Sequence, residues 1–168
     1  MRPVAYLKKS GCLGFTLLEL TLVMFFMAII AGLSTPFVMS TLDRMELQTS
    51  ARKVASALRY ARSEAIASKK PVVFSGNLDR NQFWVTQGYN NETPKITSLT
   101  DPIRLDHFIN EGEDNFVRDD EFTVTFFPQG NSSGGLIGMN INEPRGSENY
   151  YAISIDPITG KTKIKQTK

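Results

Sequence analysis

The sequence has little cysteine and little histidine, and this shortage limits the scaffolds and sites that it can build. Its 168 residues include one cysteine, Cys12, and one histidine, His107. A lone cysteine cannot close an internal disulfide, and these two side chains cannot supply the usual ligand set of a zinc ion. Disulfide-stapled and zinc-clipped scaffolds are therefore excluded, so we expect a core held together by apolar packing.

Motifs for enzymatic chemistry are also scarce. A histidine-dependent triad would have to use His107, because the chain offers no second histidine. The glycine-rich stretch from Gly130 to Gly138 lacks the lysine of a phosphate-binding loop and lies between candidate strands, so we interpret it as a turn. We therefore expect a protein that is not an enzyme, has no cofactor and holds no metal ion.

Charge is distributed unevenly along the chain. Residues 1–14 carry three bases and no acid, and residues 44–70 carry seven bases against two acids. Residues 71–168 have nine bases against thirteen acids, which leaves that part at −4. A protein that coats nucleic acid would be basic throughout, so this layout does not favour that class.

One long stretch near the N-terminus lacks charge. The 23 residues from Leu20 to Leu42 contain no Asp, Glu, Lys or Arg, and a membrane-spanning helix needs about 20 apolar residues. Lys8 and Lys9 precede this stretch, so the positive-inside tendency places the N-terminus in the cytoplasm and the chain beyond Leu42 across the membrane. A cleaved secretory signal would have a shorter apolar run.

Glu19 is the one charged side chain between Ser10 and Leu42. A carboxylate in hydrocarbon is costly and is tolerated with a partner, or when it is protonated or reaches the lipid headgroups. No Lys, Arg or His lies within the apolar stretch to pair with it. Cleavage between Gly14 and Phe15 would give Phe15 a free α-amine, which could neutralise Glu19 in the same helix or in a neighbouring subunit.

The segment from Gly14 to Leu20 reads GFTLLEL, and it follows a basic leader and precedes the apolar stretch. It resembles the prepilin cleavage and methylation signal of type IV pilins and type II secretion pseudopilins. The resemblance implies that residues 1–14 are a leader, that a prepilin peptidase cuts after Gly14, and that the amine of Phe15 is then methylated.

The same resemblance gives roles to two residues of the apolar helix. Glu19 would help to dock the subunit into a growing filament, and Pro36 matches a position where many of these helices carry a kinking proline. Residues 15–42 would form the transmembrane and filament-core helix, in contact with inner-membrane lipid.

Beyond the apolar stretch, an apolar stripe predicts that the helix continues through residues 43–70. Its members recur at spacings of 4, 3, 4, 3 and 4: Leu47, Ala51, Val54, Leu58, Ala61 and Ala65. The stripe is narrow and rich in alanine, which favours a helix that lies close against a sheet. Pro71 then ends the helix.

From residue 71 onward the pattern changes to short strands separated by turn residues. Six strands are predicted: Val72 to Ser75, Gln82 to Gln87, Glu121 to Phe127, Leu136 to Ile141, Tyr150 to Asp156, and Lys161 to Lys165. Proline and glycine in the segment from Asp156 to Gly160 indicate a tight turn between the last two. The predicted fold is α+β: a long N-terminal helix, transmembrane in its first half, packed on an antiparallel two-sheet β domain over residues 71–168.

Three further stretches resemble the H-type minor pseudopilins and the related FimT-like pilins: residues 57–65, 127–135 and 156–161. The resemblance implies a type IV pilin-like fold, a single-pass anchor in the inner membrane and a globular domain over residues 43–168 in the periplasm. The implied function is that of a minor pseudopilin of a type II secretion system. It would join other pseudopilins in the initiation or tip complex of the filament that drives protein export.

Two alternatives remain open. Lys161, Lys163 and Lys165 alternate, so a strand would place them on one face, where they could bind DNA phosphates in a minor pilin of a type IV pilus that takes up DNA. Lysines on an edge strand can also serve only to prevent aggregation. The other alternative is a solitary membrane-anchored binding domain, for which Glu19 would be dispensable.

Residues 101–121 are rich in acids and contain two bases, Arg104 and Arg118. The acids are Asp101, Asp106, Glu111, Glu113, Asp114, Asp119, Asp120 and Glu121. Their oxygen ligands suit calcium, but the spacing of an EF-hand is missing. We therefore expect clustered acids on a solvated loop.

Overall fold

The computed structural model describes residues 14–87, 94–112, 116–117, 121–141 and 150–167, without the side chains of residues 34–40, 116 and 167. The leader residues 1–13 lie outside the described residues, as does most of the acidic part of 113–120. The helix α1 spans Leu17–Ser68. The strands are β1 (Val72–Asn77), β2 (Gln82–Gln87), β3 (Thr97–Ser98), β4 (Ile103–Ile109), β5 (Phe116–Val117), β6 (Glu121–Phe126), β7 (Gly135–Ile141), β8 (Tyr150–Ile155) and β9 (Thr162–Thr167).

The chain divides into two units, Met1–Met39 and Ser40–Lys168, and α1 begins in the first and ends in the second. In the first unit, every side chain from Phe15 to Leu33 is exposed. By length and hydropathy, no helix among the described residues qualifies as a membrane span. The backbone is helical through Pro36, and the kink at that residue stays a prediction.

In the second unit, the predicted apolar stripe of α1 is confirmed as the face that packs on the sheets. Its six residues are all fully buried, as is Ala55 beside them. Small side chains let the helix backbone approach the sheets closely, and the larger Leu47 and Leu58 fill the remaining space. The helix ends at Ser68, and Lys69 follows in the left-handed conformation with φ 56°. Pro71 then prevents further helical hydrogen bonding, as the sequence predicts.

The strands form two antiparallel sheets, which confirms the predicted β domain. The first sheet has the order β3-β2-β1-β6, and the second has the order β5-β4-β7-β8-β9. Phe108 of β4 stacks on Phe122 of β6, with 4.5 Å between ring centroids, so aromatic packing joins the two sheets. The predicted alternation in β6 is confirmed, because Phe122, Val124 and Phe126 are buried.

One prediction about the acidic segment is wrong. Residues Ile103–Ile109 form β4, a central strand of the second sheet, where a solvated loop was expected. The register of β4 against β7 shifts between Leu105 and His107. This bulge breaks the period of two by which strands are found in sequences, and the short edge strands β3 and β5 are too brief to show a period at all.

Asn81, in the turn between β1 and β2, connects the two sheets through its side chain. Its Nδ2 donates to the carbonyl oxygen of Ile103 at 2.7 Å and to that of Leu99 at 3.4 Å. Its Oδ1 accepts from the backbone N–H of Leu105 at 3.0 Å. Asn81 is buried and has a φ of 53°, a conformation that asparagine tolerates better than most residues.

We expect Asn81→Leu to destabilise the second unit by about 3–5 kcal/mol, because it leaves several buried backbone groups without partners and strains the turn. Gln82→Leu is the control, since Gln82 makes an exposed hydrogen bond to Ser98 and should cost less than about 1 kcal/mol. Urea unfolding of the full chain in detergent measures both. Equal midpoints for the two variants would contradict the connecting role of Asn81.

Candidate functional site

The start of α1 brings together the residues of the predicted cleavage and assembly signal. Phe15 is 82% exposed and lies directly before Thr16. The backbone N–H of Glu19 donates to Thr16 Oγ1 at 3.2 Å, so Thr16 caps the helix and Glu19 lies in its first turn. A carboxylate there is favoured by the positive end of the helix dipole. Sequence reasoning missed this cap, although Thr16 and Glu19 have the T-x-x-E spacing of a capping box.

The apolar surface that follows Glu19 is not covered by the chain's own described residues. Side chains such as Met24, Phe25 and Ile30 are each more than half exposed. Monomeric soluble proteins rarely expose such a contiguous apolar surface, which is typical of a contact with another protein or with a membrane. Glu19 is the single acid within this surface.

At the other end of α1, Arg62 holds two loops against the helix. Its Nε donates to the carbonyl oxygen of Gly130 at 3.1 Å and to that of Thr159 at 3.0 Å. These loops precede β7 and join β8 to β9. The three stretches that resemble H-type pseudopilins therefore meet at one guanidinium group.

The turn between β8 and β9 has the predicted tight form, and its glycine is needed. Gly160 has a φ of 59°, and its N–H donates to the carbonyl oxygen of Asp156 at 2.8 Å. A Cβ at Gly160 would lie 2.4 Å from the carbonyl oxygen of Gly130 and 3.0 Å from Arg62 Nε. Both the conformation and the close approach to Arg62 therefore require glycine.

Asp156 stabilises the same turn with its carboxylate. Its Oδ1 accepts from the backbone N–H of Thr159 at 2.8 Å and from the hydroxyl of Thr159 at 3.0 Å. These hydrogen bonds, with a smaller contribution from the charge of Lys163, lower the pKa of Asp156 below its ordinary value. The carboxylate thus stays ionised and keeps its contacts at neutral pH.

Residues 130–134 spell G-x-S-x-G, the pattern of a serine nucleophile, which sequence reasoning overlooked. The structure gives the contacts of Ser132. Ser132 is buried, and its hydroxyl donates to the carbonyl oxygen of Asp156 at 3.0 Å. The same oxygen accepts from the N–H of Gly134 at 3.2 Å. The hydroxyl thus ties the loop before β7 to the end of β8.

His107 is buried in the second sheet, in contact with partly buried polar side chains. Its Nδ1 is 2.7 Å from Asp106 Oδ2, and its Nε2 is 2.6 Å from the hydroxyl of Tyr150. Asn140 Nδ2 donates to the other carboxylate oxygen of Asp106 at 3.0 Å. In the described part of the chain, no three His, Cys, Asp or Glu side chains are grouped as a metal site.

The predicted lysines lie on and beside β9, the edge strand of the second sheet. Lys163 and Lys165 are exposed on one face, opposite Ser154 and Ala152 of β8, and Lys161 is exposed just before the strand. Lys161 and Lys163 line a cavity of about 360 Å³ that α1 completes. We call this cavity the basic groove, and its lining residues are Arg59, Arg62, Ser63, Gly160, Lys161, Thr162 and Lys163.

Sequence reasoning missed the arginines of the basic groove. Arg59 and Arg62 lie on α1, about 100 residues before the lysines that they face. Residues 44–70 carry seven bases, but a basic helix face is by default solvated, and the sequence does not show what it faces. Lys165 does not line the groove with the other two lysines.

A family model described as Type II transport protein GspH matches residues 50–159. The match covers 110 of 168 residues, from the middle of α1 to the turn before β9. Among curated proteins, the Type II secretion system protein H of Xanthomonas campestris pv. campestris is 25% identical over 150 residues. These are 89% of this chain and 81% of that protein.

Solved structures share the fold at low sequence identity. The minor pseudopilin EpsH from the Type 2 Secretion System of Vibrio cholerae has a TM-score of 0.57 and 14% identity, covering 71% of this chain and 94% of that one. The type IV minor pilin FimU of Pseudomonas aeruginosa has a TM-score of 0.55 and 16% identity, covering 73% and 90%. The predicted pilin-like fold is thereby confirmed.

We expect Arg62→Met to destabilise the second unit by about 2–3 kcal/mol, because two carbonyl oxygens lose a charged hydrogen-bond donor. Arg80→Met is the matched control, since Arg80 is exposed in the β1–β2 turn and should change stability by less than about 0.5 kcal/mol. Thermal unfolding of the full chain in detergent measures the difference. An Arg62→Met variant as stable as the control would show that the two hydrogen bonds do not hold the loops.

Proposed function

We propose a route by which this chain assembles into a filament. The chain belongs to the Type II transport protein GspH family and is a minor pseudopilin of a type II secretion system. Members of this family associate with other pseudopilins in a filament, and the protein is membrane-associated and faces the periplasm. The alternative of a DNA-binding type IV pilus pilin is not favoured by this family membership. We further propose that the protein performs no chemistry and acts only through contacts with its neighbours.

In the proposed topology, residues 15–42 anchor the subunit in the inner membrane as a single-pass helix. The support is the 23-residue uncharged stretch from Leu20 to Leu42, with Lys8 and Lys9 before it. Residues 43–168 then lie in the periplasm. Inner-membrane lipid covers the apolar surface before assembly, and other pseudopilins cover it afterwards.

The observation that carries the proposed route is that all described side chains from Phe15 to Leu33 are exposed, with Glu19 as their single charge. A surface of this kind cannot stay in water, and an unpaired carboxylate is costly in lipid. A prepilin peptidase that cuts after Gly14 would create the missing cation, the amine of Phe15, which is then methylated.

Glu19 then has two candidate partners, its own Phe15 amine and that of a neighbouring subunit. Pairing with a neighbour adds a contact that exists only in the filament, so it favours docking over the isolated membrane-bound state. The tip or initiation complex is the place we propose for this subunit, as its resemblance to the H-type minor pseudopilins implies. A solitary binding domain would not need this pairing.

We expect the protein recovered from its native host to lack residues 1–14 and to carry one extra methyl group on Phe15. Intact-mass measurement checks this directly. Gly14→Glu should leave the leader attached, because the peptidase site is lost, whereas Gly11→Ala in the same leader should be processed normally. Recovery of the functioning protein with Met1 still attached would contradict the proposed route.

We expect Glu19→Gln to leave cleavage unchanged but to reduce recovery of other pseudopilins with this subunit at least about tenfold, since a buried charged pair is lost. Glu46→Gln is the matched control, because Glu46 is an exposed acid on the same helix beyond the apolar stretch. Co-purification after cross-linking in the native host measures the effect. Normal recovery with Glu19→Gln would favour the solitary binding domain.

A further inference from the structure

The basic groove has an unusual concentration of positive charge. Arg59, Arg62, Lys161 and Lys163 all line it, and none of its lining residues is an acid. Among the described residues, none of these four bases has a carboxylate within ion-pair distance. Asp156 is the neighbouring acid, and its carboxylate accepts the hydrogen bonds of Thr159. Four bases against one neighbouring carboxylate leave the groove with an excess of positive charge, which favours an anionic partner.

The groove is also held in a fixed shape. Arg62 is oriented by its two carbonyl partners, so its guanidinium group does not have to be ordered when a partner binds. Gly160 forms the floor beside it, where a Cβ would collide with the loop carbonyl of Gly130. Lys161 is exposed at the end of the same turn. A preformed groove loses less entropy on binding than a set of freely moving lysines.

The position of the groove along α1 argues against lipid headgroups as its ligand. The uncharged stretch ends at Leu42, and Arg59 and Arg62 follow 17 and 20 residues later. At 1.5 Å per helical residue, that separation is about 25–30 Å along the helix. The headgroup region extends only about 5–8 Å beyond the hydrocarbon, and charge is screened over about 8 Å.

A long nucleic acid also fits the groove poorly. Residues 71–168 carry a net charge of −4, so a polyanion that extended past the groove would meet a domain of like charge. A volume of about 360 Å³ is at the low end of the roughly 300–1,000 Å³ of ligand pockets. It suits a few side chains better than a strand of nucleotides.

We propose that the basic groove binds the carboxylates of an acidic segment of a neighbouring pseudopilin. Arg59, Lys161 and Lys163 contact these carboxylates. Arg62, whose position is fixed by its two carbonyl partners, adds its charge. The inference rests on the proposed function, because the filament supplies the neighbour. Arginine contributes a planar, two-pronged donor to a carboxylate, and the lysines add charge along β9. The groove selects which neighbour docks on this side of the β domain, while the apolar helix supplies the attraction common to all subunits.

The test uses the full chain in a neutral detergent and a fluorescein-labelled hexaglutamate peptide as the probe, followed by fluorescence anisotropy. We expect binding at low salt that weakens at least about tenfold in the triple variant Arg59→Gln, Lys161→Gln, Lys163→Gln. The matched control is Lys70→Gln, Arg80→Gln, Lys95→Gln, which removes the same charge from exposed positions outside the groove. The control should bind the probe within about twofold of the wild-type chain.

Three results would overturn the proposal: no binding of hexaglutamate at low salt, equal weakening in the two triple variants, or tighter binding of a labelled 12-nucleotide DNA strand than of hexaglutamate. Arg62 stays unchanged in both variants, so the loops keep their support and loss of folding does not imitate loss of binding. Circular dichroism of both variants verifies this. The proposed function fails separately, through the mass and Glu19 measurements, which do not involve the groove.

Discussion

The burial of the alanine-rich stripe of α1 against the two sheets is the interaction on which the second unit depends. Leu47, Val54 and Leu58 fill the space above the sheets, and the alanines between them bring the backbone close. Side chains on the flanks of this stripe, Arg62 among them, are thereby brought to the loops of the β domain.

Periodicity in the sequence predicted most of the fold, and the exceptions have physical causes. The helix stripe and β6 repeat regularly, so their buried faces could be read directly, as Ala61 and Val124 show. Strand β4 could not be read in this way because its bulge shifts the register before His107 and places this polar residue at a buried position. The role of Asn81 depends on partners about 20 residues away, which no local pattern reveals.

The candidate site, like the fold, could be predicted only in part from the sequence. The predicted cleavage signal at Gly14 and Phe15 and the acid at Glu19 lie close together in the sequence, so a local pattern suffices to propose them. The lysines on and beside β9 could also be identified from the sequence. The role of Arg62 in the same groove could not be predicted. Its hydrogen bonds join residues 68 and 97 positions apart, and a basic residue on the flank of a helix is by default solvated.

Arg62 also links stability and recognition in one side chain. Its Nε donates hydrogen bonds to the carbonyl oxygens of Gly130 and Thr159. The charge of its guanidinium group still contributes to the basic groove. A lysine at this position could supply the charge, but its flexible stem would hold that charge less firmly in place. Apolar packing along a filament core is nondirectional and suits any subunit with a similar helix. The proposed discrimination between neighbours would therefore rest on directional charges, which the basic groove on the β domain supplies.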